Sequence, residues 1–221
     1  MSFESVMPPY NASDPSARFL SSSCLDFLLI ELVPMAYRVT NQLEAAALEQ
    51  EDLTTAGVPP TTPGTQQLQP PGGTAGGTGR KMDEDEERDA VFYRLESLGY
   101  RVGQGLVERF SKDRPRFNDT LDVIKFLCKD LWTLVFRKQV DNLKTNHRGV
   151  YVLTDNAFRP FSRMSTETGG QAVLRAQPFL WFPCGIVRGA LAAMGINATV
   201  QAESSELPGA VFQIKTIPVK Q

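Results

Sequence analysis

Residues 141–155, DNLKTNHRGVYVLTD, decide the fold class. Two short runs, Asp141–Thr145 and Gly149–Asp155, alternate apolar and polar residues with a period of two. Asn146, His147 and Arg148 between them supply a polar turn, so the stretch reads as a β-hairpin. The chain on its N-terminal side has a different period. Leu121, Ile124, Leu127, Leu131 and Leu134/Val135 recur every three or four residues, which predicts a helix from Asn118 or Asp119 to about Gln139. Further upstream Val91, Leu95, Leu98, Val102, Leu106 and Phe110 mark one apolar stripe of another helix. It begins in the acidic run DEDEE (83–87), whose negative charge suits a helix N-terminus. The first helix starts at Cys24, capped by Ser22 or Ser23, and runs to about Glu49, with Pro34 kinking it or beginning a new section.

After the hairpin, a fourth helix is expected from about Phe179 to Met194, stopped at Gly195. Ala198–Glu203 and Ala210–Ile217 form a second hairpin with Pro208–Gly209 in its turn. Three helices, two strands, a helix and two strands, with antiparallel hairpins, predict an α+β fold in which helices pack on one face of a sheet. Residues 54–79 are mostly Gly, Pro, Thr and Gln, with only Ala56, Val58, Leu68 and Ala75 apolar and no charged residue, and they bury too little to order themselves. The expected organisation is a flexible tail over 1–20 and a single domain over 21–221. A disordered Gly/Pro/Thr-rich insertion interrupts that domain at about 51–82.

Composition narrows the function classes. The chain has 221 residues, 42% hydrophobic and 22% charged, with a formal net charge of −2. No cationic surplus exists to neutralise a phosphate backbone, so a nucleic-acid partner is not expected. Cys24, Cys128 and Cys184 form no CxxC pair and no even framework, and they read as buried thiols in a reducing compartment. The apolar stretch Leu25–Tyr37 carries Asp26 and Glu31 and lacks the flanks of a signal peptide. Phe179–Val187 is far shorter than the roughly 20 residues a spanning helix needs. A cytosolic chain is expected.

Candidate chemistry is sparse. His147 sits in a turn with no carboxylate pair and no nucleophile elbow beside it. Gly99, Gly103 and Gly105 (GYRVGQG) lie inside a helical stripe with no GK[ST] following, which excludes a P-loop. Cys184 lies one turn from Arg188 but in an apolar setting that favours an inert thiol. Arg188 itself needs either a carboxylate or solvent. Arg109, Lys112, Arg114 and Arg116 cluster at the turn between the second and third helices and read as a solvated loop. No catalytic, cofactor-binding or metal-binding residue is expected.

The informative excess is apolar. Leu25, Phe27, Leu28, Leu29, Ile30, Leu32, Val33 and Met35 point in nearly every direction from the first helix. One small core buries a single side of such a helix, and the remainder suits a subunit interface. The candidate interface residues are Leu25, Leu28, Leu29, Leu32 and Met35 on the first helix. Leu95, Gly99, Val102, Gly103 and Leu106 join them from the second. Gly99 and Gly103, one turn apart, permit close helix approach, either to a partner or within the domain. Gly185, Gly189 and Ala193 repeat that spacing and are expected to seat the fourth helix on the sheet.

GYRVGQGLVERF (99–110), RFNDTLDVIKFLCKDLWTLVF (116–136), DNLKTNHRGVYVLTDN (141–156) and CGIVRGALAAMGI (184–196) together resemble the Bet-three-like subunits of TRAPP, the transport protein particle. The likeness is to the sixth-subunit type, the thirty-three-kilodalton subunit in yeast nomenclature. The resemblance implies a four-stranded antiparallel sheet with helices packed on it. It implies a heterodimer with the Bet-three subunit through the first two helices, contact with other TRAPP core subunits, and only an indirect relation to Rab-type GTPases. The assembled complex would tether vesicles and exchange guanine nucleotide in ER-to-Golgi and Golgi traffic, peripheral to those membranes, with the exchange surface on other subunits. The Bet-three paralogue carries an acylated cysteine before the third helix; Arg114 stands at the matching position here. The competing expectation is an apolar-ligand or lipid-binding module, since related folds enclose a hydrophobic channel.

Overall fold

A computed structural model describes residues 21–55, 82–112, 114–146, 148–164 and 169–217. Helix α1 spans Ser22–Thr55 and α2 spans Glu84–Ser111. A composite helix follows: α3 (Thr120–Phe126), a π-helical turn over Leu127–Leu131, and α4 (Trp132–Phe136). Strands β1 (Asn142–Thr145) and β2 (Val150–Asp155) make the first hairpin. Then come α5 (Gly169–Ala176), α6 (Trp181–Ala193), β3 (Ala198–Glu203) and β4 (Ala210–Thr216).

The local signals behave as their chemistry requires. Asp83 caps α2 in a reciprocal box: its carboxylate accepts from Glu86 N at 2.9 Å, while Glu86 accepts from Asp83 N at 3.1 Å. Glu84 to Glu87 fill the first turn, so the acidic run is a helix start. Asp119 caps α3 through Asp122 N at 2.7 Å. The chain leaves α4 at Arg137, in the left-handed region with φ 65°.

All four strands join one antiparallel sheet in the order β1-β2-β4-β3. The two hairpins meet through β2 and β4, with Leu153 opposite Phe212 and Tyr151 opposite Ile214. Those four side chains are buried, whereas Val150, Val152 and Thr154 on the other face are half-buried. The buried face carries the main core, where Trp132, Phe136, Phe158, Phe161 and Phe212 pack with ring centroids 4.6–6.2 Å apart. Asp155 sits at its edge, accepting from Trp132 Nε1 at 2.8 Å and Lys138 Nζ at 2.7 Å, so the buried carboxylate is satisfied.

Several expectations change. Pro34 does not end a section: α1 runs through it, with the proline exposed so that the lost hydrogen bond falls on the solvent side. The helix also reaches Thr55, into the segment assigned to a loop from about 51. The buried row of α2 is Val91, Leu95, Gly99, Gly103 and Val107, not the stripe through Leu98, Val102, Leu106 and Phe110. Glycine carries no hydropathy, so a row built on glycines is invisible to a search for apolar periodicity. Helix α5 and the flanking 3₁₀ turns, Arg159–Phe161 and Gln177–Leu180, were absent from the expected order. His147, the tail over 1–20 and most of the 54–79 segment lie outside the described residues.

Candidate partner-binding face

Helix α2 is held on one side by α6 and on another by α1, and the two contacts differ in kind. Against α6 the backbones touch. A Cβ on Gly99 would lie 2.1 Å from Phe182 O, and one on Gly103 2.1 Å from Ile186 O. From the opposite helix, a Cβ on Gly185 would meet Glu96 O at 2.1 Å and one on Gly189 would meet Tyr100 O at 2.0 Å. Four glycines thus interlock, and no side chain larger than hydrogen fits at any of them. This resolves one open expectation and corrects another. The close approach that Gly99 and Gly103 permit occurs inside the domain rather than at a partner. Gly185 and Gly189 seat α6 on α2 rather than on the sheet.

The seam is fastened by charge. Arg188 makes a bidentate pair with Glu96, Nη2 donating to Oε2 at 2.7 Å while Nε donates to Oε1. The guanidinium also stacks on Tyr100, 4.4 Å from the ring centroid. Glu96 is therefore the carboxylate that Arg188 requires, and its hydrogen bond raises the arginine further above its ordinary value. Cys184 lies in the same seam, and burial, with Glu96 nearby, pushes its thiol up to about 12. Burial likewise pushes Cys128 up to about 12. Both are inert thiols; Cys24, expected to be buried, is exposed.

Against α1 the contact is looser and made of large side chains. Leu32, Val33 and Ala36 of α1 meet Val91 and Leu95 of α2 and Trp181 of α6 in a small second core. At its tip α1 is pinned by Asp26, which accepts from Arg159 Nε at 2.7 Å and faces Arg163 Nη2 at 3.6 Å. The hydrogen bond from Arg159 outweighs burial and holds Asp26 below its usual range. One of the charges that interrupt the apolar helix is thus turned inward to a partner.

The candidate interface residues divide accordingly. Leu29, Leu32 and Leu95 are buried within the domain, with Leu95 only 1% exposed. Gly99 and Gly103 belong to the α6 seam. Leu25 and Leu106 are half-buried. Leu28, Met35 and Val102 are exposed, Leu28 at 59%. Sequence reading missed Val39 and Leu43, which continue the side marked by Leu28 and Met35 at helical spacing and are also exposed. Their own periodicity was the available signal, obscured because Thr40 and Glu44 nearby made that half of the helix look polar.

Between this side of α1 and α2 lies an open groove of about 500 Å³. Leu32, Met35 and Val39 form one wall, Tyr93, Arg94 and Arg101 the other, with Leu95 and Leu98 beneath. Phe27, 66% exposed, and Ile30 add apolar surface on the other flank of α1. The basic turn is less free than its composition implied. Arg114 pairs with Asp130 at 2.6 Å and lies 4.8 Å from the Phe126 ring centroid. Among the described residues no His/Cys/Asp/Glu cluster could hold a metal, and no helix is long and apolar enough to cross a membrane. The arrangement leaves apolar side chains of α1 exposed along the groove.

The family model described as "Transport protein particle (TRAPP) component" matches residues 25–217. Trafficking protein particle complex subunit 6b of Danio rerio is 53% identical over 130 residues, which is 59% of this chain and 82% of the relative. Subunit 6B of Homo sapiens is 54% identical over 128 residues, covering 58% of this chain and 80% of the relative. A solved subunit 3 from Naegleria fowleri, covalently bound to palmitic acid, covers 60% of this chain and 84% of its own at 14% identity and TM-score 0.49. The chain belongs to the family of transport protein particle components, as a small subunit of the sixth-subunit type.

Proposed function

We propose that this TRAPP subunit is a non-catalytic assembly component that heterodimerises with a Bet-three-type subunit through α1 and the adjoining side of α2. The complex so built tethers vesicles and exchanges nucleotide on a Rab-type GTPase in ER-to-Golgi and Golgi traffic, with the exchange surface on other subunits. The chain reaches those membranes from the cytoplasm as a peripheral member of the complex.

One observation carries the reading: Leu28, Met35, Val39 and Leu43 leave the groove side of α1 apolar and exposed, with Phe27 exposed on its other flank. Fully burying a side chain of this kind is worth about 1.5–3 kcal/mol before the costs of association are subtracted. Several together support a stable interface, and an obligate one buries upwards of about 2,000 Å². Arg114, paired with Asp130 over Phe126, stands where the resemblance places an acylated cysteine, and its chemistry offers no acylation site.

The test is co-expression of the full chain with a Bet-three-type subunit. A one-to-one complex is expected, and Leu28→Asp abolishes it while leaving the thermal midpoint unchanged, because Leu28 supports no core. Leu32→Asp is unsuitable, since Leu32 is buried and its loss unfolds the second core. Wild-type affinity in Leu28→Asp refutes the assigned face. Native mass spectrometry showing a bound apolar molecule on the purified chain favours a lipid-binding module instead.

A further inference from the structure

Four arginines among the described residues are half-buried: Arg94, Arg114, Arg159 and Arg188. Three of them are matched by this chain's own carboxylates, Arg114 by Asp130, Arg159 by Asp26 and Arg188 by Glu96. Arg94 is the exception. Its Nε donates to Thr40 Oγ1 at 2.9 Å, and that hydroxyl donates in turn to Ala36 O at 2.9 Å. Thr40 is buried, so this chain of hydrogen bonds fixes the guanidinium across the junction of α1 and α2. No carboxylate of the described residues pairs with it. Glu31 is committed to Arg38, and Glu44 accepts from Met82 N. Arg101, two helical turns further along α2, lines the same groove and likewise makes no ion pair among the described residues.

Resting on the α1–α2 face as the site of subunit contact, we propose that its partner brings carboxylates to Arg94 and Arg101. The reason is solvation. Only Nε of Arg94 has a hydrogen-bond partner among the described residues, so in the open groove its Nη groups are left to water. A partner that seals the groove removes that water, and a desolvated guanidinium without a counter-ion costs far more than the surrounding apolar contacts return. The groove therefore selects an apolar helical surface with an Asp or Glu opposite Arg94. A second acidic side chain belongs about 10 Å further along, opposite Arg101, since seven residues of helix rise about 10.5 Å. Apolar side chains at Leu28, Met35 and Val39 supply most of the affinity. The arginines set register and choice of partner.

Isothermal titration of the full chain with a Bet-three-type subunit, at low and high salt, tests this with four variants. Leu28→Asp tests the face itself. Arg101→Glu is the clean charge variant, because Arg101 is exposed and forms no ion pair among the described residues whose loss would unfold the chain. Arg94→Met removes the charge while keeping apolar bulk, and Arg94→Lys restores a cation. Arg101→Glu and Arg94→Met are each expected to weaken binding by about tenfold or more and to flatten its salt dependence, with Arg94→Lys recovering part of the loss. If both charge variants bind as wild type while Leu28→Asp does not bind, the carboxylate proposal is overturned and the face stands. If Leu28→Asp also binds as wild type, the face is wrong and this inference falls with it. Self-association of the chain that strengthens in Arg94→Met identifies a second copy as the occupant and overturns the acidic partner.

Discussion

The two sides of α2 are built on opposite plans. Toward α6, four glycines bring the backbones into contact, and a bidentate Arg188–Glu96 pair closes the seam. Toward α1, bulky aliphatic side chains hold the helices apart, leaving a groove and a row of exposed leucine, methionine and valine. Close backbone approach marks a contact completed within the chain. On the proposed function, the large apolar side chains over the open groove mark a contact that a partner completes. Small-residue spacing in a helix is thus a poor guide to a subunit interface when both partner helices carry it.

The largest expected effect falls on the completed seam. Gly189→Ala places a methyl carbon 2.0 Å from Tyr100 O, a position only backbone movement could clear. Overpacking of a close helix contact costs typically 1–3 kcal/mol, and contact with backbone puts this case at about 3 kcal/mol or more. A drop of that size in denaturant unfolding is predicted. Wild-type stability in Gly189→Ala breaks the contrast between the two sides.

Next in size is the side toward α1. Met35→Asp should lower partner affinity by about 2 kcal/mol or more without lowering stability. A loss of stability matching the loss of binding means Met35 belongs to the domain's own core. Third, Arg188→Met should cost about 1 kcal/mol, a value discounted for the 41% exposure of the arginine side chain. Glu96 would then be left buried beside Cys184 without its cation. An unaffected unfolding midpoint shows that the glycines alone hold the seam.

The smallest effect concerns the tip of α1. Arg159 lowers the pKa of Asp26 below its value of 3.8 in the unfolded chain. The stability it contributes is therefore present above that value and lost as pH falls through the lower folded value. Protection of the amides in the N-terminal turns of α1, measured against the intrinsic exchange rate at each pH, should fall on acidification below about pH 4 in the wild type. In Arg159→Gln that protection should already be reduced at neutral pH. Exchange unchanged by the substitution shows that the ion pair does not hold the helix tip.

Most of the fold was legible because hydropathy and turn chemistry report it directly. The hairpins emerged from period-two alternation, and Asp83 and Asp119 from their capping positions. The exposed apolar surface of α1 was legible as an excess over what one core absorbs. The side that it lies on was not, because Leu29 and Leu32 are as apolar as Leu28 and only packing separates them. The α2–α6 seam was hidden for a different reason: glycines contribute contact by lacking a side chain. The placement of Arg94 depends on Thr40, 54 residues earlier. Nothing in either local stretch announces that meeting.

The central claim is that α1 is one half of a subunit contact. Sedimentation equilibrium of the full chain with a Bet-three-type subunit, alone and mixed, tests it most directly when run beside Leu28→Asp. A one-to-one complex with the wild-type chain and separate species with Leu28→Asp are predicted. Separate species with both, or the same complex with both, would contradict the account.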